Sequence, residues 1–138
     1  METVIVDAGP LVAYVCQDDQ DHPWTKEQFR HFQSPLLTCD AVVSEALFVL
    51  GRLQGDVQPL LELLERGIII PSFNLSSQLK PVCELIRRYR NVPMSLADAC
   101  LVRMTELQPS ARVFTLDRDF TLYRKNRRQA IPLIFPTD

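Results

Sequence analysis

Glycine is scarce, with four in 138 residues. Phosphate loops and dinucleotide fingerprints need closely spaced glycines so that backbone amides can approach a phosphate, and neither pattern is present. Histidine is scarcer still: His22 and His31 have no partner at ligand spacing, and no Ser-His-Asp arrangement competes for a catalytic role. Cysteine is present (Cys16, Cys39, Cys83, Cys100) but no Cys-x-x-Cys pair is. The thiols stand in apolar neighbourhoods and read as reduced core residues, not as a zinc site. No apolar run approaches the roughly 18 residues of a membrane span. The acidic start Met1-Glu2 does not resemble a signal peptide, so a cytoplasmic protein is expected. A net charge of −2 gives no global case for nucleic-acid binding, which leaves the distribution of charge to be examined.

What remains is an ordinary globular composition, 46% hydrophobic and 23% charged. The length suits one domain over residues 1–138, and no repeat, low-complexity segment or linker interrupts it. Short β-branched runs at Thr3-Val4-Ile5-Val6, Leu36-Leu37-Thr38, Ile68-Ile69-Ile70, Val113-Phe114-Thr115 and Ile131-Pro132-Leu133-Ile134-Phe135 read as strands. The Ile68 run reads as fully buried, and Pro132 sends the last strand to a sheet edge because it cannot donate to a ladder. Helical patterns separate these runs. Gly67 ends one, and Ser76 or Ser77 opens another whose last turn carries Arg87, Arg88 and Arg90. Alternating strands and helices predict an open parallel sheet covered on both faces.

The informative residues are acids in apolar company. Asp98 follows Pro93 and Ser95 at the head of a helix that is apolar almost all round, so it enters the interior or a cleft. Ser95 and Asp98 also stand at capping-box spacing, which gives a purely local reading of the same carboxylate. Glu45 interrupts the apolar run Ala41 to Leu50, with Val42, Ala41, Phe48 and Val49 at helical spacing around it. A buried carboxylate without a partner is costly, which favours a functional role. Asp7 and Asp117 follow the first and fourth strands, where ligands of open α/β sheets bind. Carboxylates converging without histidine or cysteine make an all-oxygen site suited to Mg²⁺ or Mn²⁺. Such ions polarise phosphoryl oxygens and activate water.

The segments Val-Ile-Val-Asp7-Ala-Gly-Pro-Leu-Val-Ala, Ser44-Glu45, Ser95-Leu-Ala-Asp98-Ala and Phe-Thr115-Leu-Asp117-Arg-Asp119-Phe come in the order seen in PIN-domain nucleases. The chain resembles that family over essentially its whole length, and within it the VapC-type toxins of toxin–antitoxin pairs. The resemblance implies a three-layer α/β/α fold around a central parallel sheet, paired into homodimers. It implies Mg²⁺- or Mn²⁺-dependent endoribonuclease activity, an RNA substrate and an antitoxin partner. By position, Asp7 and Asp98 would be the principal metal ligands and Asp117 would complete the pocket. Glu45 would bind metal or orient the attacking water, and Ser95 or Thr115 would support these acids by hydrogen bonds. Asp119 replaces or assists Asp117, or is an exposed loop acid.

Arg118, Arg124, Lys125, Arg127 and Arg128 form a basic stretch beyond the acids. They position RNA over the metals by neutralising phosphates, or they decorate a solvated loop between strands. Arg87, Arg88 and Arg90 read as helix-end charges. The competing class is a non-catalytic PIN-like module that binds RNA or protein, whose usual mark, a missing acid, is not found. An aspartate-based phosphatase would need a second Asp two residues after Asp7, where Gly9 stands. A receiver domain would need an acidic pair before its acceptor strand.

Overall fold

The apolar N-terminal run folds as β1 (Val4–Val6) with each side chain buried, and Asp7 turns the chain into α1 (Ala8–Val15). There follow α2 (His22–Arg30), β2 (Leu36–Thr38), α3 (Asp40–Arg52), α4 (Gln58–Glu65) and β3 (Ile69–Pro71). A 3-10 turn (Leu75–Gln78) leads into α5 (Leu79–Arg88), and α6 (Leu96–Leu107) precedes β4 (Arg112–Phe114). The chain closes with a second 3-10 turn (Arg118–Thr121), a short hairpin of β5 (Arg124–Lys125) and β6 (Gln129–Ala130), and β7 (Leu133–Ile134). This computed structural model describes residues 2–137.

Five strands form one parallel sheet in the order β3-β2-β1-β4-β7, flanked by helices, as the alternating pattern predicts. From β1 the chain steps outward through β2 to β3, then returns to place β4 on the other side of β1. The order reverses between β1 and β4, and the crevice at such a switch point is where ligands of open sheets bind. Helix α1 packs on α2 and α3, α5 packs on α6, and α6 reaches β1, β4 and α3. Phe114 anchors one side of β4, with Phe32, Phe29 and Trp24 ring centroids 5.3, 5.6 and 5.7 Å away. Tilted and edge-on contacts at these separations suit the aromatic quadrupole.

Several local expectations shift. The β7 strand is at the sheet edge as expected, but it begins after Pro132. The Ile68 run is not fully buried: β3 is the other edge strand, where Ile69 is enclosed while Ile70 and Pro71 are exposed. The helix expected to open at Ser76 or Ser77 starts later, because Asn74 caps the 3-10 turn and α5 proper begins at Leu79. Arg90 falls beyond its end. Gly67 stands at φ +71, the left-handed conformation that stops α4 without a Cβ penalty. The cysteines are unpaired, Cys39 and Cys100 in the core and Cys16 and Cys83 half-buried.

Candidate active site

Strand register places the first residues. Val6 pairs with Phe114, so Asp7 and Thr115 leave the sheet side by side at the carboxyl ends of β1 and β4. The Thr115 hydroxyl donates to Asp7 Oδ2 at 2.7 Å and accepts the Asp117 N–H at 3.0 Å. Asp7 Oδ1 accepts the Ala8 N–H at 2.8 Å and so caps α1. A Cβ on Gly9 would come within 3.3 Å of Leu116 Cβ, so glycine lets the segment after β4 lie against the start of α1. Thr115 thereby ties two sequence-distant acids into one bonded unit. Burial pushes the Asp7 carboxyl up to about 7; the Thr115 and Ala8 bonds oppose that rise, and the charges of Asp98 and Glu45 add to it.

Asp98 arrives on α6, which is as enclosed as its sequence suggests. Its local and functional readings coexist. Ser95 Oγ accepts the Asp98 N–H at 3.0 Å, and Asp98 Oδ2 faces the Ser95 N–H at 3.4 Å, completing the capping box. The same Oδ2 accepts the Tyr123 hydroxyl at 2.9 Å. Burial raises the Asp98 carboxyl, the Tyr123 bond lowers it, and the Asp117 charge raises it again. Tyr123 is wholly buried, with Tyr89 and Phe120 rings 5.1 and 5.2 Å from its own. Burial and the bond to Asp98 hold its hydroxyl well above the ordinary tyrosine range, so it remains a donor. Nothing in the periodicity of the sequence singled out Tyr123; the link spans 25 residues and exists only once the 3-10 turn folds back on α6.

Glu45 corrects the sequence reading. Its apolar neighbours suggested burial, yet Glu45 is exposed, as are Ser44 and Phe48 on the same helix. Helix α3 buries only Val42, Ala46 and Leu50 along its inner stripe. Partial desolvation, then the charges of Asp98 and Asp117, still raise the Glu45 carboxyl, so its electrostatic environment is that of the acidic group. Asp117 is half-buried, with its side chain accepting the Asp119 N–H at 2.9 Å and capping the 3-10 turn. Asp119 is also half-buried, and its charge reaches the Tyr123 hydroxyl.

At the β1–β4 switch point the charges of Asp98 and Glu45 therefore bear on Asp7, and the charge of Asp117 bears on Asp98 and Glu45. Among the described residues, no group of three or more His, Cys, Asp or Glu side chains stands close enough together to hold a metal ion. The donor chemistry, carboxylate oxygen with neither thiolate nor imidazole, fits a hard divalent cation. Mutual charge repulsion among these acids is the condition such a cation relieves.

The basic stretch divides. Lys125 turns inward, 5% exposed, and its ammonium donates to the Pro109 carbonyl at 3.1 Å. Arg124 is half-buried and donates to the Thr121 and Tyr123 carbonyls at 2.9 and 3.0 Å. Arg118, Arg127 and Arg128 are exposed, the last two in the turn of the β5–β6 hairpin instead of a structureless loop.

A parallel sheet with acids gathered at its switch point defines the class. The PIN domain family model matches residues 4–126, and the chain belongs to that family, the nuclease family its motifs resemble. The fold is similar to the crystal structure of VapC20 from Mycobacterium tuberculosis, a toxin that cleaves the sarcin–ricin loop. That match has a TM-score of 0.75 at 16% identity and covers 94% of this chain and 100% of the other. No curated protein sequence matches the chain. No helix among the described residues is long and apolar enough to cross a membrane.

Proposed function

We propose that the chain is a Mg²⁺- or Mn²⁺-dependent endoribonuclease, a single PIN-like domain over residues 1–138 that hydrolyses RNA phosphodiester bonds. The observation that carries this reading is the set of mutually interacting carboxylates at the β1–β4 switch point, in a chain of the PIN family. Asp7, Asp98 and Asp117 do not stand close enough together to enclose an ion as they are, and would hold it by closing on it. The ion would supply Lewis-acid polarisation of the phosphodiester and an activated water.

The chain's own residues prepare that site. Thr115 fixes the Asp7 carboxylate through Oδ2 and, through the Asp117 N–H, the segment carrying the third acid. Ser95 and Tyr123 both engage Asp98 Oδ2, which leaves Oδ1 for ligation. Glu45, which is exposed, would bind the metal or orient the attacking water, and Asp119 would replace or assist Asp117. Arg118, Arg127 and Arg128 offer exposed charge to the phosphate backbone, with Arg124 at the margin and Lys125 committed to the interior. A homodimer, an antitoxin partner and a cytoplasmic location follow from the VapC-type reading.

Because VapC20 cleaves the sarcin–ricin loop, a structured RNA loop is the substrate to offer first. Purified protein is expected to cleave RNA with Mg²⁺ or Mn²⁺ and to stop in chelator. Cleavage that persists in chelator yet vanishes in a cysteine or serine variant would overturn the proposal. Co-expression with the product of an adjacent small gene tests the toxin reading separately, with relief of growth arrest expected.

A further inference from the structure

Away from the acids, a cavity of about 320 Å³ opens between α5, α6 and the β5–β6 turn. Its walls bring together Arg88 from the last turn of α5, Arg103 from α6 and Arg127 from the hairpin turn. Glu84 and Glu106 share those walls, so the balance of charge depends on which acids are already engaged. Glu106 is: Oε1 accepts Arg103 Nη1 at 3.1 Å and Oε2 accepts the Asn126 N–H at 2.7 Å. Arg103 Nε donates to Gln78 Oε1 at 2.8 Å. These bonds lock Arg103 and the hairpin turn in place. They leave Arg88 and Arg127 without an ion pair among the described residues, and Glu84 as the one wall acid still unengaged.

The turn itself is held at a conformational cost. Arg127 has φ 73 and Asn126 φ 49, the left-handed region disfavoured for a residue with a Cβ. Three guanidinium groups, from segments far apart in sequence, thus share one cavity with a strained backbone presenting the last of them. Guanidinium is the side chain whose planar fork matches phosphate oxygens, and a bridging anion removes the repulsion among neighbouring arginines.

The geometry points to a phosphate-binding site formed by Arg88, Arg103 and Arg127, separate from the acidic pocket. Its ligand is a phosphate group, either a phosphodiester in an RNA strand or a free phosphate monoester. The RNA source rests on the ribonuclease reading, since helix α6 carries both Asp98 and, about 7.5 Å further along its axis, Arg103. A strand held at Arg103 would be gripped at a point remote from the bond being cut.

The test uses the full chain in chelator, so that binding is measured without cleavage. Inorganic phosphate is titrated against wild type, Arg88→Gln, Arg127→Gln and the double variant, and RNA binding is followed across a salt series. Lys26→Gln, exposed on α2, controls for loss of charge. Arg127→Gly guards against a folding artefact, because glycine accepts φ 73 while removing the guanidinium. Each loss is expected to reduce the log–log salt slope for RNA by about one, with Lys26→Gln unchanged, and to weaken phosphate binding. Phosphate binding lost while the RNA slope stays intact would assign the site to a free phosphate monoester. If neither probe responds in any variant, the site does not exist. Mn²⁺ binding in the absence of RNA, measured separately by calorimetric titration, reports on the acidic pocket alone, so failure of one reading is not failure of the other.

Discussion

Two hydroxyls do most to orient the acids, and each can be removed with little change of shape. Thr115→Val leaves Asp7 Oδ2 and the Asp117 N–H without their shared partner. Unpairing a buried polar group costs about 1–3 kcal/mol, so the variant should melt lower, whereas Thr115→Ser should retain most of the stability. Tyr123→Phe deletes only the donor to Asp98 Oδ2 while the ring contacts to Tyr89 and Phe120 remain. Losing an outer partner of a metal ligand typically costs roughly 10–100-fold in metal affinity or activity, and a fall of that size is expected for Tyr123→Phe. Calorimetric titration with Mn²⁺ alongside cleavage rates checks it. Unaltered Mn²⁺ affinity in a folded Tyr123→Phe protein would reduce the tyrosine to a packing residue.

Elements show what the sequence could and could not disclose. Helix α6 was legible because Asp98 is the one polar residue in its first two turns, Leu96 to Val102, and the capping box was legible from spacing alone. Those readings proved to be two uses of one carboxylate. Helix α3 looked similar in composition but behaves differently: Phe48 is 65% exposed, with the Arg52 guanidinium 5.8 Å from its ring centroid. Apolar identity at helical spacing does not say which stripe meets a neighbour, and that decided Glu45. The same limit applies to β3, where an isoleucine run at a sheet edge leaves Ile70 exposed. For α6 a sharp outcome follows. Asp98→Asn keeps an oxygen for the Ser95 and Tyr123 donors but removes a charge repelled by Asp117, so metal-free melting should stay level or rise. Cleavage should fall by more than the roughly 100-fold expected for an outer partner, and added Mg²⁺ or Mn²⁺ should stabilise the variant less than wild type. A variant that melts well below wild type, keeps its cleavage and gains the same metal increment would make Asp98 a cap only.

At the scale of the whole molecule, topology turns scattered acids into a titrating group. The order β3-β2-β1-β4-β7 puts Asp7 at the crevice where the strand order reverses, and α6 and α3 bring Asp98 and Glu45 within reach of its charge. Motif order in the sequence marked Asp7, Glu45, Asp98 and Asp117 as candidates; it could not show that Asp7 would be 5% exposed with its carboxyl raised to about 7. That raised value fixes the sign of a pH effect. Between its ordinary value of 3.8 and about 7, Asp7 holds a proton in the folded chain that the unfolded chain has released. Stability from this group is therefore full at low pH and declines as pH rises through that window, by at most ~1.4 kcal/mol per pH unit. Burial raises Asp98 and Glu45 in the same direction. In chelator, Asp7→Asn should gain on wild type in melting temperature as pH climbs, and the gap should level off above about 7. Metal must displace the same proton, so stabilisation of wild type by Mn²⁺ should grow across that window and be lost in Asp7→Asn. Melting curves of both proteins from about pH 4 to 8, with chelator and with Mn²⁺, decide the matter. A gap that stays constant with pH would mean that Asp7 is ionised throughout, and that its neighbours do not press on it.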